Sequence, residues 1–304
     1  MKKSIRLLVV VAFGAIATFS CKEKEPTPEP TPTLRFSYSV DGMQAAFTAM
    51  INYGNAFQWD FGDGTTSTEK NPVHVYAEGG TYDVTLSVTG RGETKSFTKE
   101  VSLALSNLQM LAGDNRFPNG KKWKISASHS STDRFAVADA NFTNVQALSA
   151  GILGSAVGLP EVYEDVFLFK NDGTYQHLPK TGNGAFAGLV YTMVSGIQIL
   201  NATPTSQEFG LCYGAYTPQA GATFTFVEKE DYPIMTAYGN TTYQNVMTID
   251  FSGTEFIGFM DFTRKCIVRS LTPTSMQLVL FVCAAPQAAP YPTHAILLTF
   301  EVVS

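Results

Sequence analysis

The sequence predicts an all-β chain made of a small β-sandwich followed by a larger one. Three observations predict it. Strand-forming aromatics are abundant, with 22 Phe and 13 Tyr, while long helical runs of Glu, Lys and Leu are scarce. Short stretches alternate apolar and polar residues with a period of two, the pattern of half-buried strands. Turn signals built from Gly, Asn, Asp and Pro separate those stretches.

Length and charge narrow the possibilities. A chain of 304 residues is long enough for about two domains. With 44% hydrophobic and 15% charged residues, it can bury a sizeable core. The formal net charge is −5, and removal of residues 1–20 leaves 18 basic against 26 acidic residues, a net charge of −8. A net acid without a basic stripe is not built to hold nucleic acid.

The N-terminus reads as an address. Lys2, Lys3 and Arg6 precede an apolar run, Leu7 to Phe19, of signal-peptide length and too short for a comfortable span. Ser20 then precedes Cys21 and the charged tetrapeptide Lys22-Glu23-Lys24-Glu25. This resembles the lipobox of bacterial lipoproteins, with Thr18 and Phe19 departing from its usual Leu and small residue. The resemblance implies a signal peptide over 1–20, acylation of Cys21, and a lipid anchor in the outer membrane with the protein facing the cell exterior. The tetrapeptide resembles the surface-export signals of Bacteroidetes lipoproteins. Four prolines alternate between Pro26 and Pro32, so residues 21–34 form an extended linker. Its Pro-rich part spans roughly 25 Å.

Residues 35–103 carry the clearest pattern. In Tyr82-Asp83-Val84-Thr85-Leu86-Ser87-Val88-Thr89 every second residue is apolar. Leu34 to Val40, Ala46 to Ala49 and Phe57 to Phe61 repeat the theme. Asp41-Gly42, Gly62-Asp63-Gly64 and Gly79-Gly80 supply turns. Trp59-Asp60-Phe61-Gly62-Asp63-Gly64, then Asn71-Pro72-Val73-His74-Val75-Tyr76, then Gly80-Thr81-Tyr82-Asp83-Val84-Thr85-Leu86 closely resemble the PKD domain. The resemblance implies an Ig-like β-sandwich that serves as a spacer or adhesive module. Trp59, Asp60, Gly62, Asp63, Gly64, Pro72, Tyr76 and Tyr82 are its structural motif. Asp60, Asp63 and His74 could be mistaken for a metal or catalytic set, but the motif assigns them to the turn and scaffold.

Residues 104–304 form the second domain. Asn107 to Leu111 is a connector or helical turn. Strands are expected at Gly120 to Ile125, Val166 to Lys170, Thr174 to His177, Thr223 to Val227, Val246 to Phe251, Glu255 to Phe259, Lys265 to Leu271, Met276 to Cys283 and Ala295 to Val302. Asn171-Asp172-Gly173 and Ser252-Gly253-Thr254 each suit a hairpin turn. Ala136 to Val157 reads as a helix or a long surface loop. The set fits a jelly-roll-type β-sandwich, with a lipocalin-like barrel as the alternative. It resembles the β-domains that follow PKD modules in Bacteroidetes surface lipoproteins, several of which serve glycan uptake. Cys212, Cys266 and Cys283 allow at most one disulfide and lack zinc-site spacing.

No serine-hydrolase elbow, phosphate loop or His-Glu-x-x-His motif is present. The acidic groups Glu161/Glu164/Asp165 and Glu228/Glu230/Asp231 read as solvated loops or strand ends. No cofactor, metal or catalytic residue is expected. Tyr213, Tyr216, Tyr238 and Tyr243 lie in turn-rich segments, with Asn240 and Gln244 nearby. Such rings stack on sugar faces while amides bond the hydroxyls. The expectation is a non-catalytic lipoprotein that binds a polysaccharide or oligosaccharide, alongside an outer-membrane uptake partner. The alternatives are an adhesion protein with a protein partner, or a divergent glycoside hydrolase.

Overall fold

The computed structural model describes residues 33–303. The signal peptide, Cys21 and all but the end of the Pro-rich linker lie outside the described residues. Described strands and helices are numbered in chain order, and the fold is all-β: a small sandwich, then a larger one with a half-barrel sheet.

The first sandwich has seven strands: β1 Leu34–Asp41, β2 Gln44–Ile51, β3 Ala56–Asp60, β4 Thr66–Ser67, β5 Val73–Val75, β6 Gly80–Gly90 and β7 Glu93–Leu103. One sheet runs β1-β2-β5 and the other β4-β3-β6-β7. The alternation in β6 does what its period requires: Tyr82, Val84, Leu86 and Val88 point inward and are buried. On its outer face Thr85, Ser87 and Thr89 pair with Thr98, Ser96 and Thr94 of β7 at 2.7–2.8 Å. The core is aromatic, with Phe36, Phe47, Trp59 and Phe61 in mutual contact at ring separations of 5.1–6.4 Å.

Helix α1, Asn107–Ala112, joins the two sandwiches. Ser106 caps it and Gln109 completes the capping box, so the connector is a helix with a defined start. Gln109 also donates from Nε2 to the Gly79 carbonyl at 2.9 Å, and Asn115 donates to the Thr81 carbonyl at 2.8 Å. On the far side, the buried Lys121 ammonium donates to the carbonyls of Met110 and Pro273, each at 2.6 Å, and lies over the Trp123 ring. The helix is therefore bonded to both sandwiches.

The second sandwich begins with β8 Lys121–Ile125, β9 Arg134–Val137 and β10 Asn144–Ala147, then α2 Ile152–Ser155, β11 Val166–Phe169 and β12 Tyr175–Leu178. Next come β13 Gly184–Gly188, α3 Leu189–Val194, β14 Ile199–Asn201, α4 Pro204–Glu208 and β15 Leu211–Ala215. The last five strands are β16 Phe224–Thr236, β17 Gly239–Phe251, β18 Cys266–Leu271, β19 Ser275–Val282 and β20 His294–Val302. The large sheet has the order β12-β11-β8-β20-β19-β18-β17-β16, with β9 also on β20 and β10 on β9. It curls so far that its edges touch: Phe224 N–H donates to Gly173 O and Tyr175 N–H to Ala222 O, each at 2.9 Å. A smaller sheet, β13-β15-β14, forms the second layer. Trp123, Phe167, Phe169, Phe186, Leu211, Ile249, Leu280 and Phe300 fill the space between.

Two expectations are corrected, and the state of the cysteines, left open by the sequence, is given by the structure. Glu255–Phe259 forms no strand; the chain turns at Ser252–Thr254 and crosses toward the second layer, burying Phe256 and Ile257. Ala136–Val157 is neither one helix nor one loop but the end of β9, β10 and the short α2. Cys212, Cys266 and Cys283 are buried free thiols.

Asp261 links the layers. Its carboxylate accepts from Phe262 N–H at 2.7 Å and from Cys283 N–H, at the end of β19, at 3.3 Å. Burial pushes its carboxyl up to about 7, outweighing those hydrogen bonds. Between pH about 4 and about 7 the folded state then holds a proton that the unfolded chain releases, so stability falls as pH rises through that window. Asp261→Asn removes the titration. Its melting temperature should exceed that of the wild type by roughly 5 °C at pH 8 and match it near pH 4, as read by differential scanning calorimetry.

Candidate ligand-binding site

The β16–β17 hairpin is longer than the sheet it belongs to. Its root pairs regularly, Phe224 with Phe251 and Phe226 with Ile249. The register then shifts between Val227 and Glu230 and again between Glu230 and Tyr232. Bulges bend a strand and increase its twist, and beyond them the hairpin folds over the outer face of β18, β19 and β20. Tyr232, Ile234, Tyr243 and Val246 pack there on Ile267, Val279, Phe281 and Leu297. Lys265 holds the bend through an ion pair with Glu230 at 2.7 Å and lies 5.1 Å over the Tyr232 ring.

The tip of this hairpin rests on the loop between β19 and β20. Ala237 N–H donates to Pro292 O at 2.9 Å. Thr236 Oγ1 accepts from Tyr238 N–H and donates to Gly239 O, each at 3.1 Å, closing the turn. Between tip and loop lies an open cleft of about 760 Å³. Met235 and Tyr238 line one wall, and Gln287, Tyr291 and His294 line the other. Tyr238 is 61% exposed and Tyr291 46%. Among the described residues no Asp or Glu lines the cleft. Burial lowers the His294 imidazole below its ordinary value, which favours its neutral form, and Nδ1 sits 2.9 Å from Thr293 Oγ1.

Three of the four tyrosines expected at the site belong to the interior. Tyr213 is on β15 at 2% exposure, with its hydroxyl 3.2 Å from Thr181 Oγ1 and 3.3 Å from Asp165 Oδ1. Tyr216 is 8% exposed and donates to Glu255 Oε2 at 2.6 Å. Burial raises both phenols far above their ordinary range. Tyr243 is 6% exposed, stacks on Phe142 at 4.8 Å and donates to Asp139 O at 3.1 Å. The apolar body of each ring fills a gap and its hydroxyl finds a buried acceptor, which is why Tyr suits these positions. Tyr238, Asn240 and Gln244 are exposed on the hairpin. Asn240 follows the turn, while Gln244 lines a second cleft along β17.

Sequence reasoning missed Tyr291. Its signal was its setting, Pro290-Tyr291-Pro292, where prolines on both sides keep a ring out of regular structure. Among the described residues no group of three or more His, Cys, Asp or Glu side chains could hold a metal ion.

The family match falls at the other end of the chain, on residues 28–104, described as "PKD domain". Residues 28–104 form a PKD domain. "Collagenase ColA" of Bacillus cereus is 52% identical over 61 residues, 19% of this chain and 6% of that protein. "Pre-pro-metalloprotease PrtV" of Vibrio cholerae is 30% identical over 125 residues, 40% of this chain and 14% of that protein. The chain thus spans a small fraction of the length of these curated relatives. The crystal structure of the PKD1 domain of Vibrio cholerae PrtV aligns over 24% of this chain and 95% of that one, at 34% identity and a TM-score of 0.23. Carbohydrate-binding modules from the β-sandwich superfamily align over 89% of this chain and 90% of theirs, at 17% identity and a TM-score of 0.24, too low to fix a fold or a ligand.

Within the PKD domain the motif residues are scaffold. Trp59 is buried and donates to Glu69 O at 2.9 Å; Tyr76 donates to Phe61 O at 3.2 Å, and Tyr82 to Glu78 O at 2.9 Å. Asp60 Oδ1 accepts from Gly62 N–H at 2.9 Å, and Gly62 and Gly64 take φ of 78° and 86°, a region that favours glycine. Pro72 O accepts from Phe47 N–H at 2.9 Å, locking the approach to β5. Asp63 accepts from Thr65 N–H at 3.0 Å and Thr65 Oγ1 at 2.6 Å, and sits 2.7 Å from His74 Nε2, whose ring stacks on Phe61. Burial works against the Asp63 carboxylate, but the bonds from Thr65 and His74 win and hold it below its ordinary range. Its stabilisation is present above pH about 4 and is lost as pH falls through the depressed folded value. Asp63→Asn should cost roughly 1 kcal/mol at pH 7, about 4 °C in melting temperature for a domain of this size. The difference from wild type should close near pH 2 in thermal melts of the domain signal.

Proposed function

We propose that the chain is a non-catalytic, exported lipoprotein that binds extracellular carbohydrate in the cleft between Tyr238 and Tyr291, with the PKD domain as spacer. The observation that carries this reading is the pair of exposed rings on opposite walls of a cleft of about 760 Å³. A single exposed ring needs no explanation, but two exposed rings facing each other across a cleft make the kind of apolar groove that marks a ligand site. Tyrosine offers an apolar face to the C–H face of a pyranose and a hydroxyl at its edge. Gln287 and His294 supply donors and acceptors for sugar hydroxyls. A glycosidase would need two carboxylates across the cleft, and among the described residues none lines this one. Binding by stacking and hydrogen bonding is the chemistry these side chains support.

The setting rests on the N-terminal pattern. Lys2, Lys3, Arg6, the apolar run and Cys21 support export and acylation, and the Pro-rich stretch supports a stand-off from an outer membrane. A polysaccharide outside the cell, handed to an uptake partner, is the ligand this placement fits.

A glycan array probed with the full chain tests the reading. Tyr238→Ala and Tyr291→Ala should each weaken binding about tenfold, or about 1.4 kcal/mol, without changing the far-ultraviolet circular dichroism. Tyr216→Ala is the contrasting variant, expected to destabilise the fold. Silence of the wild type on every polysaccharide, or release of reducing ends from one of them, would overturn the proposal.

A further inference from the structure

The second cleft lies along β17, shares no lining residue with the first, and measures about 660 Å³. Its lining includes Asn141, Thr242, Gln244 and Asn245, with the stacked Phe142–Tyr243 pair beneath them. Arg269 is the one charged residue in that lining, and among the described residues its guanidinium has no hydrogen bond or ion pair. The nearby acids are committed elsewhere. Asp139 accepts from Asn141 and Thr143, Asp231 from Asn245 N–H, and Glu230 is paired with Lys265.

The backbone aims these groups. The β18–β19 register shifts between Val268 and Ser270, so Arg269 is the extra residue of a bulge, a position that redirects a side chain away from the regular pleat. Phe142 and Asn245 take φ of 50° and 52°. Among the described residues only four non-glycine residues have positive φ, and two of them line this cleft. Such backbone persists where the surroundings over-determine it, and it concentrates at ligand clamps.

We infer that this cleft binds one negatively charged unit of an acidic polysaccharide, a carboxylate or sulfate held by the Arg269 guanidinium while Asn141, Gln244 and Asn245 bond the neighbouring hydroxyls. A planar guanidinium matches either oxyanion with two parallel N–H···O bonds. The chain carries a formal net charge of −5, so adsorption of a polyanion by bulk charge is disfavoured and binding must come from a local cation. The inference takes its ligand class from the glycan reading above but stands on a different cleft.

Affinity electrophoresis of the full chain in gels containing polygalacturonate, carrageenan or neutral xylan tests it. Polygalacturonate or carrageenan should retard the wild type, and which of the two does so separates carboxylate from sulfate. Arg269→Gln should weaken that retardation at least tenfold, with Arg269→Lys between the two. Salt at about 0.5 M should weaken the wild type and leave the Gln variant unchanged. No retardation by either acidic polymer, or equal retardation of wild type and Arg269→Gln, would overturn the inference. Neutral binding that depends on Tyr238, beside acidic binding indifferent to Arg269, would remove this cleft and leave the first. The reverse pattern would remove the first and leave this one.

Discussion

The fold-back of the β16–β17 hairpin is the constraint on which the rest of the second domain depends. β19 is buried on both faces, with Leu278, Leu280 and Val282 turned to the inner core and Val279 and Phe281 to the outer cluster. A strand with two apolar faces needs a cover on each. The second layer and the interior aromatics cover one. Among the described residues the distal hairpin and the β9–β10 turn, through Phe142, cover the other. Fixing the hairpin there places its tip against the β19–β20 loop and its flank beside Arg269. Both clefts are thus by-products of one burial requirement, and both are rimmed by a packed element.

The junction between domains follows a different logic. A short helix of six residues has little stability of its own. Its capping box satisfies two backbone donors, and Gln109 and Lys121 tie its ends to carbonyls in the PKD domain and in the β18–β19 turn. A buried ammonium is tolerated here because two carbonyls and the Trp123 ring replace its water. The join between the domains thus runs through polar bonds from Gln109 and Lys121 as well as the apolar seat of Leu111 and Ala112 in the second core.

How much of this could be read beforehand follows from period. β6 alternates cleanly, with one face wet and one dry, and its residues were legible one by one. The run Leu278-Val279-Leu280-Phe281-Val282 does not alternate. It marked a strand buried on both sides but could not say what lay over the outer face. The distal hairpin was illegible for a related reason: its two register shifts break the alternation, so only its root read as strand. Glu255–Phe259 is aromatic and apolar enough to read as a strand, yet it pairs with none because the chain leaves the sheet after Thr254. Of the site residues, Tyr238 was recoverable from its turn. Tyr213, Tyr216 and Tyr243 misled because composition does not show whether a buried acceptor such as Asp165, Glu255 or the Asp139 carbonyl waits for the hydroxyl. Tyr291 stood in a segment of Ala and Pro that offered no period at all.

The three buried thiols have a practical bearing. Burial pushes the Cys266 thiol up to about 12 and raises those of Cys212 and Cys283 above their ordinary value, so little of the nucleophilic thiolate exists near neutrality. Maturation of the second domain therefore awaits no oxidant. In a form without Cys21, a cysteine engineered at an exposed position, for instance on the outer face of β7, would take up a maleimide dye while Cys212, Cys266 and Cys283 stay silent, so a fluorescent label can be placed without replacing the buried cysteines.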